Sequence, residues 1–72
     1  MLVKYILDDC KYVEHINAVY YDKEYGFLYM EPAEGAILGV AMDEEDGEDF
    51  LEQLFDCGKI DVTEYSVFID EE

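Results

Sequence analysis

The densest group of metal-ligating side chains in the sequence is the acidic run at positions 43–49, which reads Asp-Glu-Glu-Asp-Gly-Glu-Asp. A glycine within an acidic run is typical of the calcium loop of an EF-hand. With Gly47 as that glycine, the loop begins at Met42 and ends at Gln53, so it lacks both the acidic first ligand and the terminal glutamate. The run therefore predicts weak, non-specific attraction of cations and no dedicated metal site.

Two cysteines and one histidine are the other candidates for chemistry. Zinc needs four ligands, and Cys10, His15 and Cys57 include neither a CxxC pair nor a second histidine. Cys10 follows two aspartates and Cys57 lies near the end of a predicted helix, and both environments disfavour the thiolate that a nucleophile requires. We expect both cysteines to be small buried thiols and the histidine to be a half-exposed imidazole. Ser66 is the only serine, and no arrangement for a serine nucleophile is present. The sequence predicts no catalytic residue, no metal and no cofactor, and hence no enzyme.

Acidity is the strongest signal in the chain. The 72 residues contain 20 Asp and Glu against 4 Lys and no Arg, which gives a formal net charge of −16. Binding to nucleic acids or to anionic membranes is disfavoured, because both depend on Lys and Arg that neutralise phosphate. The charge is also uneven, since residues 37–72 carry 13 of the acids and a single lysine.

Hydrophobic periodicity predicts one small domain over residues 1–72, of the α+β class, with elements in the order ββββαβ. Strands are expected at 2–7, 12–21, 27–31, 36–42 and 62–69, although the first half of 12–21 also fits a helix. A hairpin turn is expected at Asp22–Gly26. The helix is expected from about Asp46, as its cap, to Cys57, with Gly58 as its stop. Its apolar stripe would be Phe50, Leu51, Leu54 and Phe55.

Most of these strands carry apolar residues on both faces. A mostly antiparallel sheet of four to five strands is about 20 Å wide, and one helix, about 10 Å across, covers one face at most. The other face must curl into a half-barrel, pair with a second copy or receive a partner. A homodimer is the default among these, because symmetric dimers are the commonest oligomers.

Two interpretations of the chain remain, one in which the acidic residues form a binding surface and one in which they only keep the protein soluble. In the first, Asp and Glu on a rigid scaffold occupy a Lys/Arg groove built for phosphates, so the protein is a non-catalytic inhibitor that imitates DNA and binds a basic, nucleic-acid-handling protein. By charge and size alone it is similar to anti-defence, immunity and antitoxin proteins. The expected partner-binding residues are Glu44, Glu45, Glu48, Asp49, Glu52, Asp56, Asp70, Glu71, Glu72 and Tyr25.

In the second interpretation, the protein is a small structural or assembly subunit that forms a homo-oligomer through its second apolar sheet face. Seven tyrosines exceed what so small a core can bury, and exposed tyrosines are favoured at interfaces of either kind. The first residues lack the features of a signal peptide, and no apolar run is long enough to span a bilayer. We therefore expect a cytoplasmic protein of its host cell.

Overall fold

A computed structural model describes residues 1–70 as one helix and a six-stranded mixed sheet. The elements are β1 (Leu2–Leu7), β2 (Cys10–Asp22), β3 (Phe27–Pro32), β4 (Ile37–Ala41), α1 (Glu44–Cys57), β5 (Lys59–Asp61) and β6 (Val67–Asp70). The strand order is β5-β1-β2-β3-β4-β6, in which β5 runs parallel to β1 and every other pair is antiparallel. The predicted α+β class and mostly antiparallel sheet are confirmed.

The last strand predicted over 62–69 is confirmed only for residues 67–69, which belong to β6, and β5 at Lys59–Asp61 was not predicted. The count of four to five strands is wrong, since the sheet has six. The chain leaves α1, pairs with β1 as β5 and then turns away. The Asp61 carboxylate accepts the backbone N–H of Thr63 at 2.9 Å, and the Tyr65 N–H donates to the Val62 carbonyl at 3.0 Å. These bonds form a turn, after which β6 joins the opposite edge of the sheet beside β4. The order is therefore ββββαββ.

The helix begins two residues earlier than predicted, at Glu44, with Asp43 and not Asp46 at the cap position. Its end is confirmed: Gly58 has φ 73°, and its N–H donates to the Leu54 carbonyl at 2.9 Å. The predicted burial of Phe55 is wrong, since its side chain is 91% exposed. The helix buries a narrow stripe centred on Gly47 and Leu54, and at about 100° per residue the next position turns away from it.

The sheet curls without closing into a barrel. β2 is long, and its register shifts between Ile16 and Ala18, so that β1 pairs with its first part and β3 with its second. Tyr5 of β1 and Ile69 of β6 line one cavity, although three strands lie between β1 and β6 in the sheet order. The curl gives the sheet an inner face that encloses the core and an outer face that turns away from it.

The core lies between the inner face and α1. Its buried members are Val3, Tyr5, Ile16, Leu28, Met30, Leu38, Val40, Met42, Leu54, Ile60 and Val62. Phe50 and Leu51 add the partly buried flank of α1. Within residues 1–70, no element covers the outer face, in agreement with the expectation that one helix covers only one face of the sheet.

Candidate functional site

The six acidic helix residues predicted to bind a partner are all exposed. We call Glu44, Glu45, Glu48, Asp49, Glu52 and Asp56 the acidic helix surface. The one ion pair found within residues 1–70 joins Lys23 Nζ to Glu44 Oε1 at 3.0 Å, and this hydrogen bond raises the pKa of Lys23. Because both groups are exposed, the pair contributes little to stability. The acidic helix surface thus keeps nearly all of its negative charge.

Two tyrosines hold this helix against the sheet. The ring of Tyr21 packs beneath Gly47, and its hydroxyl donates to the Met42 carbonyl at 2.8 Å. Tyr65 donates to Asp46 Oδ2 at 3.2 Å and packs edge-on against Phe50, with 5.5 Å between ring centroids. Burial, reinforced by the carboxylates around the start of the helix, raises the pKa of both phenols. The acids are therefore displayed from a fixed helix.

A large aromatic side chain stands among these acids. Phe55 lies one helical turn after Glu52 and two turns after Glu48, so these three side chains share one flank of α1 with the partly buried Leu51. The fold does not need it, since the ring makes almost no contribution to the core. Exposed aromatic residues surrounded by polar ones are typical of interface hot spots. The sequence pattern missed this residue because its spacing from Leu51 and Leu54 also fits a buried stripe.

Asp70 lies away from the acidic helix surface, since it pairs with Ile37 at the end of β4 remote from α1, whereas Tyr25 belongs to a turn that borders the start of the helix through the Lys23–Glu44 pair. Tyr25 is exposed in the turn between β2 and β3, and Asp70 is half-buried at the end of β6. Both are close to Tyr29, whose pKa is raised by burial first and then by Asp70, Asp22 and the neighbouring tyrosines. Glu71 and Glu72 lie outside the described residues. The predicted binding residues therefore belong to at least two surfaces.

Around Tyr29, four aromatic rings cluster on the outer face of the sheet. The centroid of Tyr29 lies 5.3 Å from that of Tyr20 and 6.0 Å from that of Phe27, and Phe27 lies 5.1 Å from Phe68. Phe68 reaches this cluster across Gly39, where an added Cβ atom would come within 2.3 Å of its ring. We call these four residues the aromatic surface.

Three of the four lysines occupy a different part of the outer face. The strand register places Lys4, Lys11 and Lys59 on the outer side of β1, β2 and β5. Lys4 and Lys59 line a shallow cavity of about 360 Å³ together with Leu2, Val13 and Ile60. We call the three lysines the lysine patch. The same cavity is also lined by Gln53 of α1 and by Asp61, so the lysine patch has one carboxylate beside it.

The predicted burial of both cysteine thiols is wrong. Cys10 and Cys57 are both free and exposed, because Cys10 follows the tight β1–β2 turn and Cys57 lies on the solvent side of the last turn of α1. His15 is exposed as well. Among the described residues, no three His, Cys, Asp or Glu side chains meet in a way that can hold a metal ion. Nor does that part of the chain contain a helix of the length and apolarity needed to cross a membrane.

Comparison of the chain with known protein families, with curated proteins and with solved structures finds no match.

Proposed function

We propose that this protein is a non-catalytic, acidic interaction protein whose acidic helix surface binds a basic partner. The observation that carries the proposal is Phe55, whose side chain is 91% exposed on α1, one helical turn after Glu52 and two turns after Glu48. An aromatic anchor supplies the apolar contact, while the surrounding carboxylates supply attraction and orientation. The partner is a protein with a Lys/Arg surface, and the chemistry fits one built to hold nucleic-acid phosphates.

The arrangement of charge on the helix supports a binding role over a solubilising one. Four like-charged pairs stand four residues apart on α1, each destabilising by about 0.2–0.5 kcal/mol. They are Glu44/Glu48, Glu45/Asp49, Glu48/Glu52 and Glu52/Asp56. The last turn of α1 contains no basic residue to offset them. Solubility is achieved at lower cost by mixed charges, so a one-signed helix is better explained by an oppositely charged partner.

The test is capture of partners from a host lysate on the immobilised 72-residue chain at about 0.05 M and about 0.5 M NaCl. We expect basic, nucleic-acid-handling proteins at low salt and their loss at high salt. In one variant, Glu48→Gln, Glu52→Gln and Asp56→Asn neutralise the helix. The matched control carries Asp9→Asn, Glu24→Gln and Glu34→Gln, which remove the same charge from exposed positions in turns and loops.

The proposal requires the helix variant to lose the partner and the control to retain it. Equal loss in both variants would mean that only total charge matters. Capture that is indifferent to salt, or that recovers only acidic proteins, would contradict charge-driven binding altogether.

The aromatic surface favours a second candidate function, that of an assembly subunit that pairs through its outer sheet face. Aromatic residues are enriched at such interfaces. A symmetric pair through this surface, however, brings two copies of Asp22 and Asp70 together, and like charges across an interface oppose association. Sedimentation of the purified chain at dilute concentration tests this candidate. A stable oligomer would support it, and a monomer would contradict it.

A further inference from the structure

We infer that the aromatic surface is a second binding site, which takes an arginine-bearing segment of a cationic protein partner. The inference rests on the proposed function in that the partner is basic, and it adds the chemistry of the side chain that is recognised. Four aromatic rings, Tyr20, Phe27, Tyr29 and Phe68, form the site. The strand register places Asp22 opposite Phe27, and Asp70 two residues after Phe68 on the same face of the sheet.

The four rings form one continuous platform. Tyr20 and Tyr29 are tilted by 35° to each other, and Phe27 stands edge-on to both Tyr29 and Phe68, at 74° and 71°. Tyr20 is 48% exposed, and the other three rings are half-buried. Since α1 packs on the inner face, nothing within residues 1–70 lies over this platform. A planar side chain can therefore stack on the exposed ring faces.

The charges around the platform all have the same sign. Asp22 and Asp70 are close enough to Tyr29 to raise its pKa, and the Asp22 carboxylate is held in place by the backbone N–H groups of Glu24 and Tyr25, at 2.9 and 3.3 Å. The lysine patch lies elsewhere, and Lys23 pairs with Glu44. The site therefore combines ring faces with fixed negative charge, which is the combination that attracts a cation.

Arginine fits this combination better than lysine. Its guanidinium group is planar, stacks on aromatic faces and binds a carboxylate through two parallel hydrogen bonds. A lysine ammonium is a strongly hydrated point charge that does neither as well. A second copy of the chain is a poorer occupant, because it brings the same aspartates with it.

The experiment compares two short peptides of equal length and net charge, one containing arginine and the other only lysine, as ligands of the intact chain. Binding is followed by backbone amide NMR and by tyrosine fluorescence, which the absence of tryptophan leaves unobscured. An advantage of about 1 kcal/mol for the guanidinium corresponds to arginine binding roughly fivefold more tightly. The largest amide shifts on adding it are expected in β3 and β6.

Two substitutions remove the preference in different ways. Tyr20→Ser deletes the most exposed ring, and Asp70→Asn deletes a charge while keeping the shape; in each, the arginine-to-lysine ratio is expected to fall towards one. Phe55→Ser with Glu48→Gln and Glu52→Gln is the matched control on the other surface. It is expected to weaken both peptides equally and to leave the ratio unchanged.

Several outcomes would overturn the inference. They are equal affinity for the two peptides in the parent chain, a ratio that survives both Tyr20→Ser and Asp70→Asn, and a stable dimer whose contacts cover β3 and β6. If the helix control abolishes binding while Tyr20→Ser changes nothing, the proposed function stands and this inference falls. If neither peptide binds the parent chain, this inference falls, and the salt-dependent capture of partners from a lysate decides the proposed function separately.

Discussion

The ring of Tyr21 lies directly beneath Gly47 of α1, where an added Cβ atom would come within 2.5 Å of ring atom Cδ1. The same side chain fixes the start of the helix through its hydroxyl, which donates to the Met42 carbonyl. A glycine in mid-helix normally costs about 1 kcal/mol relative to alanine. Here that cost allows a tyrosine ring to pack flat against the helix backbone, which holds the acidic helix surface in a fixed position.

Gly47→Ala is therefore expected to destabilise the protein, against the usual helix propensity. The methyl group overlaps the Tyr21 ring, and overpacking of this kind costs about 1–3 kcal/mol. Urea unfolding followed by circular dichroism measures the change. Tyr21→Leu provides the control background, in which the same alanine is expected to be far less harmful. A Gly47→Ala protein more stable than the parent would show that the ring is not in this contact.

Asp56→Lys is expected to stabilise the protein and to weaken partner binding. It turns the repulsion between Glu52 and position 56 into attraction and places a cation at the negative end of the helix dipole, for a combined gain of about 0.5–1.5 kcal/mol. The same change removes an acid beside Phe55 from the proposed interface. Thermal unfolding and partner capture measure the two effects.

Glu34→Lys, in the exposed β3–β4 loop, changes the net charge by the same amount and controls for overall self-repulsion. If the helix dipole and Glu52 account for the effect, Asp56→Lys must raise the midpoint of thermal unfolding more than Glu34→Lys does. Stronger partner capture by the Asp56→Lys protein would contradict the binding role of the acidic helix surface.

Local signals predicted much of this fold. The hairpin at Asp22–Gly26 forms as expected, because Asp22 accepts the turn N–H groups and Gly26 adopts φ 73°. Gly58 ends the helix as expected, because it also adopts a φ of 73°. The short strand β5, which lies before the predicted last strand, was not predictable, since it depends on parallel pairing with β1 from the far end of the chain. Periodicity carries no information about such long-range partners.

The candidate site was predictable to a similar extent. Acids four residues apart on a helix with an apolar stripe must face solvent, and all six do. Phe55 was assigned to the core because neighbouring apolar residues fit either a wide or a narrow stripe, and packing alone decides between them. The separation of Asp70 from the helix follows from the pairing of β6 with β4, which the sequence does not reveal.

Phe55→Ser is expected to reduce partner affinity by about 2 kcal/mol or more, roughly thirtyfold, as at other interface hot spots. Its effect on the free energy of unfolding should stay within about 0.5 kcal/mol, because the ring is exposed. Partner titration and urea unfolding of one preparation measure both quantities. Val13→Ser, at another exposed apolar position that lies on β2 and not on α1, is the control and should leave partner affinity unchanged.

Added salt is expected to stabilise the free protein while weakening its complexes. The net charge of −16 makes the folded chain repel itself, and a Debye length that shortens from about 30 Å at 0.01 M to about 3 Å at 1 M screens that repulsion. Thermal unfolding in a series of NaCl concentrations should show a rising midpoint. A falling midpoint would mean that attractive pairs such as Lys23–Glu44 outweigh the repulsion.

Alkaline pH is expected to unfold the protein through its tyrosines. Burial raises the pKa of Tyr5, to which Glu14 adds, and it raises the pKa of Tyr21, Tyr29 and Tyr65 as well. In the unfolded chain these phenols lose their protons at about pH 10. Above that pH the unfolded state binds fewer protons than the folded state, so the free energy of unfolding must fall as the pH rises.

Urea unfolding between pH 7 and about pH 11, paired with phenolate absorbance, measures this slope. Tyr5→Phe removes the most deeply buried of the four phenols and is expected to make the slope shallower. Tyr25→Phe, at a turn position that is 66% exposed, is the matched control and should leave the slope unchanged. Equal slopes in all three proteins would show that Tyr5 is no harder to ionise in the folded chain than in the unfolded one, and that its hydroxyl is accessible to water.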